Sequence, residues 1–114
     1  MIYLSTANVF DGSLGEPHYE GDARVSDSDY GRFKIQCEDL LQNRMGKRGI
    51  LLRLPFVWGR NAPRLREVKA GCKTGQMIVY KDFFCNHASD LQISQTIHLI
   101  IRENKDGIFH IGTS

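Results

Sequence analysis

A chain of 114 residues with 41% apolar and 25% charged side chains has room for one domain and its core. It holds no run of 18 apolar residues and no basic start followed by an apolar stretch, so a membrane span and an export signal are not expected and the cytoplasm is the expected location. The net charge of +2 is unevenly spread, since residues 1–29 carry six acids against Arg24 and residues 30–114 carry fourteen bases against seven acids.

"MIYLST" is a short apolar run and reads as a buried strand. Residues 7–29 are polar and rich in Gly, Asp and Ser, a longer loop than a compact domain usually spends unless the loop has work at a site. Ser26 with Asp29, or Asp27 alone, is the expected cap of a helix that starts near Tyr30. In that helix Phe33, Cys37, Leu40 and Leu41 recur at helical spacing as the expected apolar side, with Ile35 at its margin, and "NRMGKRG" stops it with bases and glycine. "ILLRL", residues 50–54, reads as a strand buried on both faces, and Pro55 turns the remainder up to Gly59 into an exit loop. A short basic helix over residues 62–75 and a strand over 77–82 follow. A helix over 89–103 comes next, with Ser89 and Gln92 as a capping box and Ile93, Ile97, Ile100 and Ile101 on its apolar side, and a last strand lies in "GIFHIG". Strands alternating with helices predict an α/β fold with a parallel sheet.

Tyr30 and Lys34 stand four residues apart, on one helix face and at the helix N-terminus, where sites of α/β proteins gather. An ammonium beside a phenol favours the phenolate, and the pair makes an acid and base for a carbonyl or alcohol oxygen. A polar couple on a helix surface has the same spacing. Between Arg60 and Lys73, five bases (Arg60, Arg64, Arg66, Lys69, Lys73) face Glu67 alone, which suits either an anionic partner such as a phosphate or a solvated helix face. No nucleic-acid reader motif accompanies them, so no nucleic-acid partner is expected. His18, His87, His98 and His110 are scattered without ligand spacing, and no metal is assigned. His98 is expected as a hydrogen-bonded structural residue or at a polar edge of its helix. Cys37, Cys72 and Cys85 fit neither a disulfide framework nor a zinc site and read as reduced thiols.

"YGRFKIQCEDLL" after "YLSTANVFDG" resembles the active-site region of the extended short-chain dehydrogenase/reductases, in particular the dTDP-4-dehydrorhamnose reductase-like branch and its epimerase and dehydratase relatives. Thr6 precedes Tyr30 by 24 residues, as in that family, and the likeness continues through Tyr19-Glu20, "ILLRLPFVWG", Asp90-Leu91 and "GIFHIG". The resemblance implies the C-terminal part of a Rossmann-like parallel sheet plus part of a substrate-binding region, divided as residues 1–59 and 60–114. It implies a proton-donating Tyr30, a Lys34 that tunes it and holds the nicotinamide ribose, and a Thr6 that bonds the substrate oxygen. Leu54, Pro55 and Val57 would join Tyr30 and Lys34 at the cofactor, NADP or NAD. Arg53, Phe56 and Arg60 would join Thr6 at a nucleotide-sugar substrate. A homodimer of the full-length protein is compatible with it.

Two details depart from the branch pattern. Ala7 stands where the reductases carry Asp, which is closer to the epimerases, and "VSDSD" lacks the proline that the family often places shortly before the tyrosine. No G-x-G-x-x-G or G-x-x-G-x-x-G occurs, so the diphosphate-binding motif is not in this chain. The chain is therefore expected to be a fragment of a reductase acting on a nucleotide-linked 4-keto sugar, inactive by itself and prone to associate through apolar strand edges. The alternatives are an epimerase or dehydratase, and a catalytically silent relative with a binding or regulatory role.

Overall fold

A computed structural model describes residues 1–13, 16–78 and 86–112. In chain order its elements are β1 (Ile2–Thr6), α1 (Asp29–Met45), β2 (Ile50–Leu54), β3 (Phe56–Trp58), α2 (Pro63–Thr74), β4 (His87–Ser89), α3 (Asp90–Arg102) and β5 (Ile108–His110). β2 is the middle of a three-stranded sheet, parallel to β1 on one side and to β5 on the other. Each parallel pair needs a crossover, and α1 supplies the one between β1 and β2. The fold is thus the expected α/β arrangement.

The two faces of the sheet differ in chemistry. Strand alternation puts Ile2 and Leu4 of β1 with Ile50, Leu52 and Leu54 of β2 and Phe109 of β5 on one face. There α3 lays down Ile93, Ile97 and Ile100, and with Ala88 and Ile111 these residues form the apolar core. Ile101, expected on the same side, is exposed instead. α3 opens on the capping box read from sequence: the Ser89 hydroxyl accepts from the Gln92 N–H at 3.1 Å, and the Gln92 side chain accepts from the Ser89 N–H at 2.7 Å.

The opposite face carries Tyr3, Ser5, Leu51 and Arg53, and α1 covers it. The helix does not present the expected apolar stripe: Gly31, Glu38 and Leu41 are its buried residues, while Phe33 and Leu40 are 59% and 58% exposed. The reason is the sheet, which offers a serine hydroxyl and an arginine at this point and so requires a carboxylate from the helix. Glu38 is 0% exposed, and its Oε1 accepts from Ser5 Oγ at 2.5 Å and Arg53 Nε at 3.0 Å. Its Oε2 accepts from Arg53 Nη2 at 2.8 Å and Arg24 Nη1 at 3.0 Å.

Pro55 has no N–H to extend the ladder of β2, and the chain does leave the main sheet there. The segment expected as an exit loop contains β3, which pairs in parallel with β4 as a separate two-stranded sheet, Phe56 opposite His87 and Trp58 opposite Ser89. Three-residue strands carry too little pattern for the sequence to reveal either. The strand expected at 77–82 falls mostly outside the described residues; Met77 and Ile78, which are described, are exposed and in no strand. α2 is the expected basic helix, with Pro63 in its first turn and Gly75 at φ +68° ending it. β1 is an edge strand with Leu4 43% exposed. No helix among the described residues is long and apolar enough to cross a membrane.

The Glu38 network yields a stability prediction. Glu38→Ala or Arg53→Ala leaves a buried charge without its partner and should cost about 3–5 kcal/mol, whereas the pair Glu38→Leu with Arg53→Met should recover most of that loss. Burial pushes the Glu38 carboxyl up, but the bonds from Arg53, Ser5 and Arg24 outweigh it and hold the carboxyl below its ordinary range. The contribution is therefore complete above the unfolded value of about 4.3 and is lost as pH falls through the lowered folded value. Urea unfolding of the variants at neutral pH and across the acid range measures both effects. Equal losses for the single and double variants would refute the pairing argument.

Candidate active site

α1 begins at Asp29, after the long acidic loop that follows the end of β1 at Thr6. Its cap is Ser28, whose hydroxyl accepts from the Gly31 N–H at 3.0 Å, not Ser26 or Asp27 as expected. Ser28 has the extended backbone a cap needs, with the helix starting at the next residue, and Ser26 supports it from behind, its Oγ 3.2 Å from that of Ser28. Arg32 reaches back to the Ser26 and Asp27 carbonyls at 3.2 and 2.9 Å and ties the end of the acidic loop to the helix. Gly31 sets how close the helix can come: a Cβ there would overlap Ser26 Oγ and the Asn8 carbonyl oxygen. That approach places the first turn of α1, with Tyr30, against the turn that follows Thr6.

Thr6 ends β1, and its Oγ1 accepts from the Asn8 N–H at 3.2 Å, capping a short 3-10 turn over Ala7–Val9. The hydroxyl keeps its own hydrogen for a further oxygen. Lys34 extends back along the strand, donating to Tyr3 Oη at 3.0 Å and to the Leu4 carbonyl at 3.1 Å. Its Nζ lies 6.0 Å from the centre of the Tyr30 ring, and Tyr30 is 53% exposed. Burial pushes the Lys34 ammonium down, but the Tyr3 hydrogen bond and the surrounding phenol and thiol groups outweigh it and leave it above its ordinary value, charged at neutral pH. The structure thus brings Thr6, Tyr30 and Lys34 to the carboxyl end of the parallel strands, the end where open α/β sheets bind ligands.

Leu54 is paired with Thr6 across the ladder, so the β2 exit lies beside this centre. From it Pro55, Phe56 and Val57 lead to a cleft of about 330 Å³ walled by Val57, Gly59, Arg60, Asn61, Pro63 and Asp90. Phe56 also lies under the Arg64 guanidinium, 5.8 Å from it. Arg53, expected at the substrate, is 3% exposed and taken up internally: besides Glu38 it donates to the Glu20 carbonyl at 3.2 Å and faces His110 Nε2 at 3.1 Å. An arginine only donates, so His110 accepts through a neutral ring; burial first, and the Arg53 charge with it, hold its pKa below the usual value. Glu20 Oε1 accepts from the His110 N–H at 3.3 Å, which latches the acidic loop to β5. His98 is exposed, at the polar edge of its helix. Cys37 and Cys72 are free thiols, and Cys85 lies outside the described residues. Among the described residues no cluster of His, Cys, Asp and Glu is placed to hold a metal.

Sequence reasoning missed Tyr3, Gly31 and Glu38. Glu38 follows Lys34 by four, so all of Tyr30, Lys34 and Glu38 share a helix face, and that spacing was the available signal. Tyr3 had none, since an aromatic in a short apolar run reads as packing.

A Rossmann-like sheet with a Tyr-x-x-x-Lys helix at its carboxyl edge is the architecture of short-chain dehydrogenase/reductase enzymes. The chain belongs to the family described as the RmlD substrate binding domain, which matches residues 1–114. A dTDP-4-keto-6-deoxy-D-glucose reductase of Streptomyces niveus is 26% identical over the whole of this chain, which spans 40% of that relative's length. Among solved structures, a dTDP-4-dehydrorhamnose reductase of Clostridium acetobutylicum superposes with a TM-score of 0.88 at 24% identity, over 99% of this chain and 40% of its own. A UDP-N-acetylglucosamine 4-epimerase of Bacillus cereus superposes with a TM-score of 0.76 at 20% identity, over 99% of this chain and 43% of its own.

Gly31→Ala should destabilise the protein by about 1–3 kcal/mol through overpacking, and a thermal melt of the variant measures it. Adding Ser26→Ala should not rescue it, because the Asn8 carbonyl remains in the way. Full rescue would show that the helix approach is set by Ser26 alone.

Proposed function

We propose that this chain supplies the proton-transfer centre and part of the substrate site of an NAD(P)H-dependent reductase for a nucleotide-linked 4-keto sugar. The observation that carries the reading is the charged Lys34, fixed between β1 and Tyr30 on the strand that Thr6 ends. The residues fit the nicotinamide end of such a cofactor: two N–H groups of Lys34 are engaged by the strand, which leaves a third to hold a ribose hydroxyl, and Leu54, Pro55 and Val57 border the same edge. When bound, the cofactor supplies the hydride. Thr6 would donate its hydroxyl hydrogen to the keto oxygen, and Tyr30 would hand over its proton as that oxygen gains charge, with the Lys34 charge stabilising the phenolate left behind. Arg60, on the wall of the cleft at the β3 exit, is suited to an anionic group of the substrate.

Ala7 and the likeness to a sugar-nucleotide 4-epimerase favour a second reading, in which the same residues move a proton off and onto a sugar hydroxyl without net consumption of cofactor. The test uses the polypeptide that carries this chain, a dTDP-linked 4-keto-6-deoxy sugar, and NADPH or NADH followed by absorbance. Tyr30→Phe should lower kcat by about 10²–10⁴-fold while leaving substrate binding intact. Sugar interconversion with no cofactor consumed would establish the epimerase, and binding with no turnover by the unaltered protein would establish a silent relative.

A further inference from the structure

Tyr3 takes no part in the proton transfer described above, yet it is the side chain nearest the lysine. β1 and α1 meet in two adjacent rungs, Tyr3 with Lys34 and Ser5 with Glu38. In the first rung the Lys34 Nζ lies 3.0 Å from Tyr3 Oη and 4.6 Å from the centre of its ring, with the Leu4 carbonyl at 3.1 Å as the second anchor. A phenylalanine would fill the same space without accepting the hydrogen bond, so the hydroxyl has a function that packing does not require.

We propose that Tyr3 is a positioning residue for Lys34, whose ammonium it anchors against β1 so that the third N–H faces the Tyr30 side of the site. The inference rests on the acid–base reading of Tyr30 and Lys34. The ionisable groups facing the ammonium are Tyr3 from the strand and Tyr30 and Cys37 from its own helix. Without the Tyr3 hydroxyl the ammonium keeps one anchor and swings, which weakens its hold on the ribose more than it affects the fold.

The experiment is Tyr3→Phe in the polypeptide that carries this chain, assayed with NADPH and the dTDP-linked 4-keto sugar. The expected result is an unchanged melting temperature and a KM for NADPH raised roughly three- to tenfold, the range an ordinary hydrogen bond spans, since the Leu4 carbonyl still holds the ammonium. The Lys34 pKa, followed by NMR of labelled lysine, should fall. In a Lys34→Met background the same change should have no further effect. A cofactor KM and lysine titration like those of the unaltered protein would overturn the proposal, as would a loss that multiplies with Lys34→Met. Should Lys34→Met and Tyr30→Phe themselves keep full turnover, the acid–base reading has failed and the role of Tyr3 falls with it. If those two lose turnover and Tyr3→Phe leaves the KM for NADPH unchanged, the positioning role alone is refuted.

Discussion

The Glu38 carboxylate is the point from which the rest of the structure is hung. It is wholly buried and its two oxygens take four donors: the Ser5 hydroxyl from β1, two nitrogens of Arg53 from β2, and one of Arg24 from the acidic loop. Four charge-assisted bonds are what such a group needs, since each unmet lone pair in a dry interior is costly. Arg53 extends the network to the Glu20 carbonyl and the His110 ring. One carboxylate therefore ties the helix to two strands and, through its partner, to the third.

That network stands one helical turn from Lys34, and the site inherits its order. Helix α1 cannot slide along the sheet without breaking both the Ser5–Glu38 and the Tyr3–Lys34 rungs, so Tyr30 is held at the end of β1 by contacts further along the helix. Gly31 and the Ser28 cap settle the last turn. The exposed tyrosine hence rests on a rigid element, and the acidic loop that crosses the sheet edge is pinned at Arg24 and Glu20.

The elements with a strong period were legible in the sequence. The limits of β2 and the capping box of α3 stand where residues 50–54 and Ser89 with Gln92 put them. α1 was legible as a helix but not in its orientation, because hydropathy assigns Phe33 and Leu40 to the core and the sheet beneath demands Glu38 and Lys34 instead. Only the identities of Ser5 and Arg53 on neighbouring strands carry that information, and their pairing is a tertiary fact. The strands β3 and β4 were hidden by their length and by Pro55, which marks an ending and not a restart. Of the residues proposed for the site, Tyr30 and Lys34 lie near each other and Thr6 ends β1 before the turn that α1 packs against, whereas Arg53 serves the interior.

The choice of an ionic network over an apolar contact at this face has a consequence for register. Side chains on a strand alternate, so a slip of β1 by one residue would turn Tyr3 and Ser5 to the α3 face and bring Ile2 and Leu4 under the helix. An apolar interface would tolerate that exchange, because Ile2 and Leu4 pack against a helix as well as any aliphatic pair. Glu38 and Lys34 do not: in the slipped register Lys34 would lose the Tyr3 hydroxyl and Glu38 the Ser5 donor, with the hydrocarbon of Ile2 and Leu4 in their place, while Arg53 and Arg24 stay with Glu38. A network that contributes little net stability over a hydrophobic replacement therefore discriminates strongly between registers. The register decides where β1 ends, and with it whether the Thr6 hydroxyl stands opposite Leu54 at the edge that Tyr30 and Lys34 share.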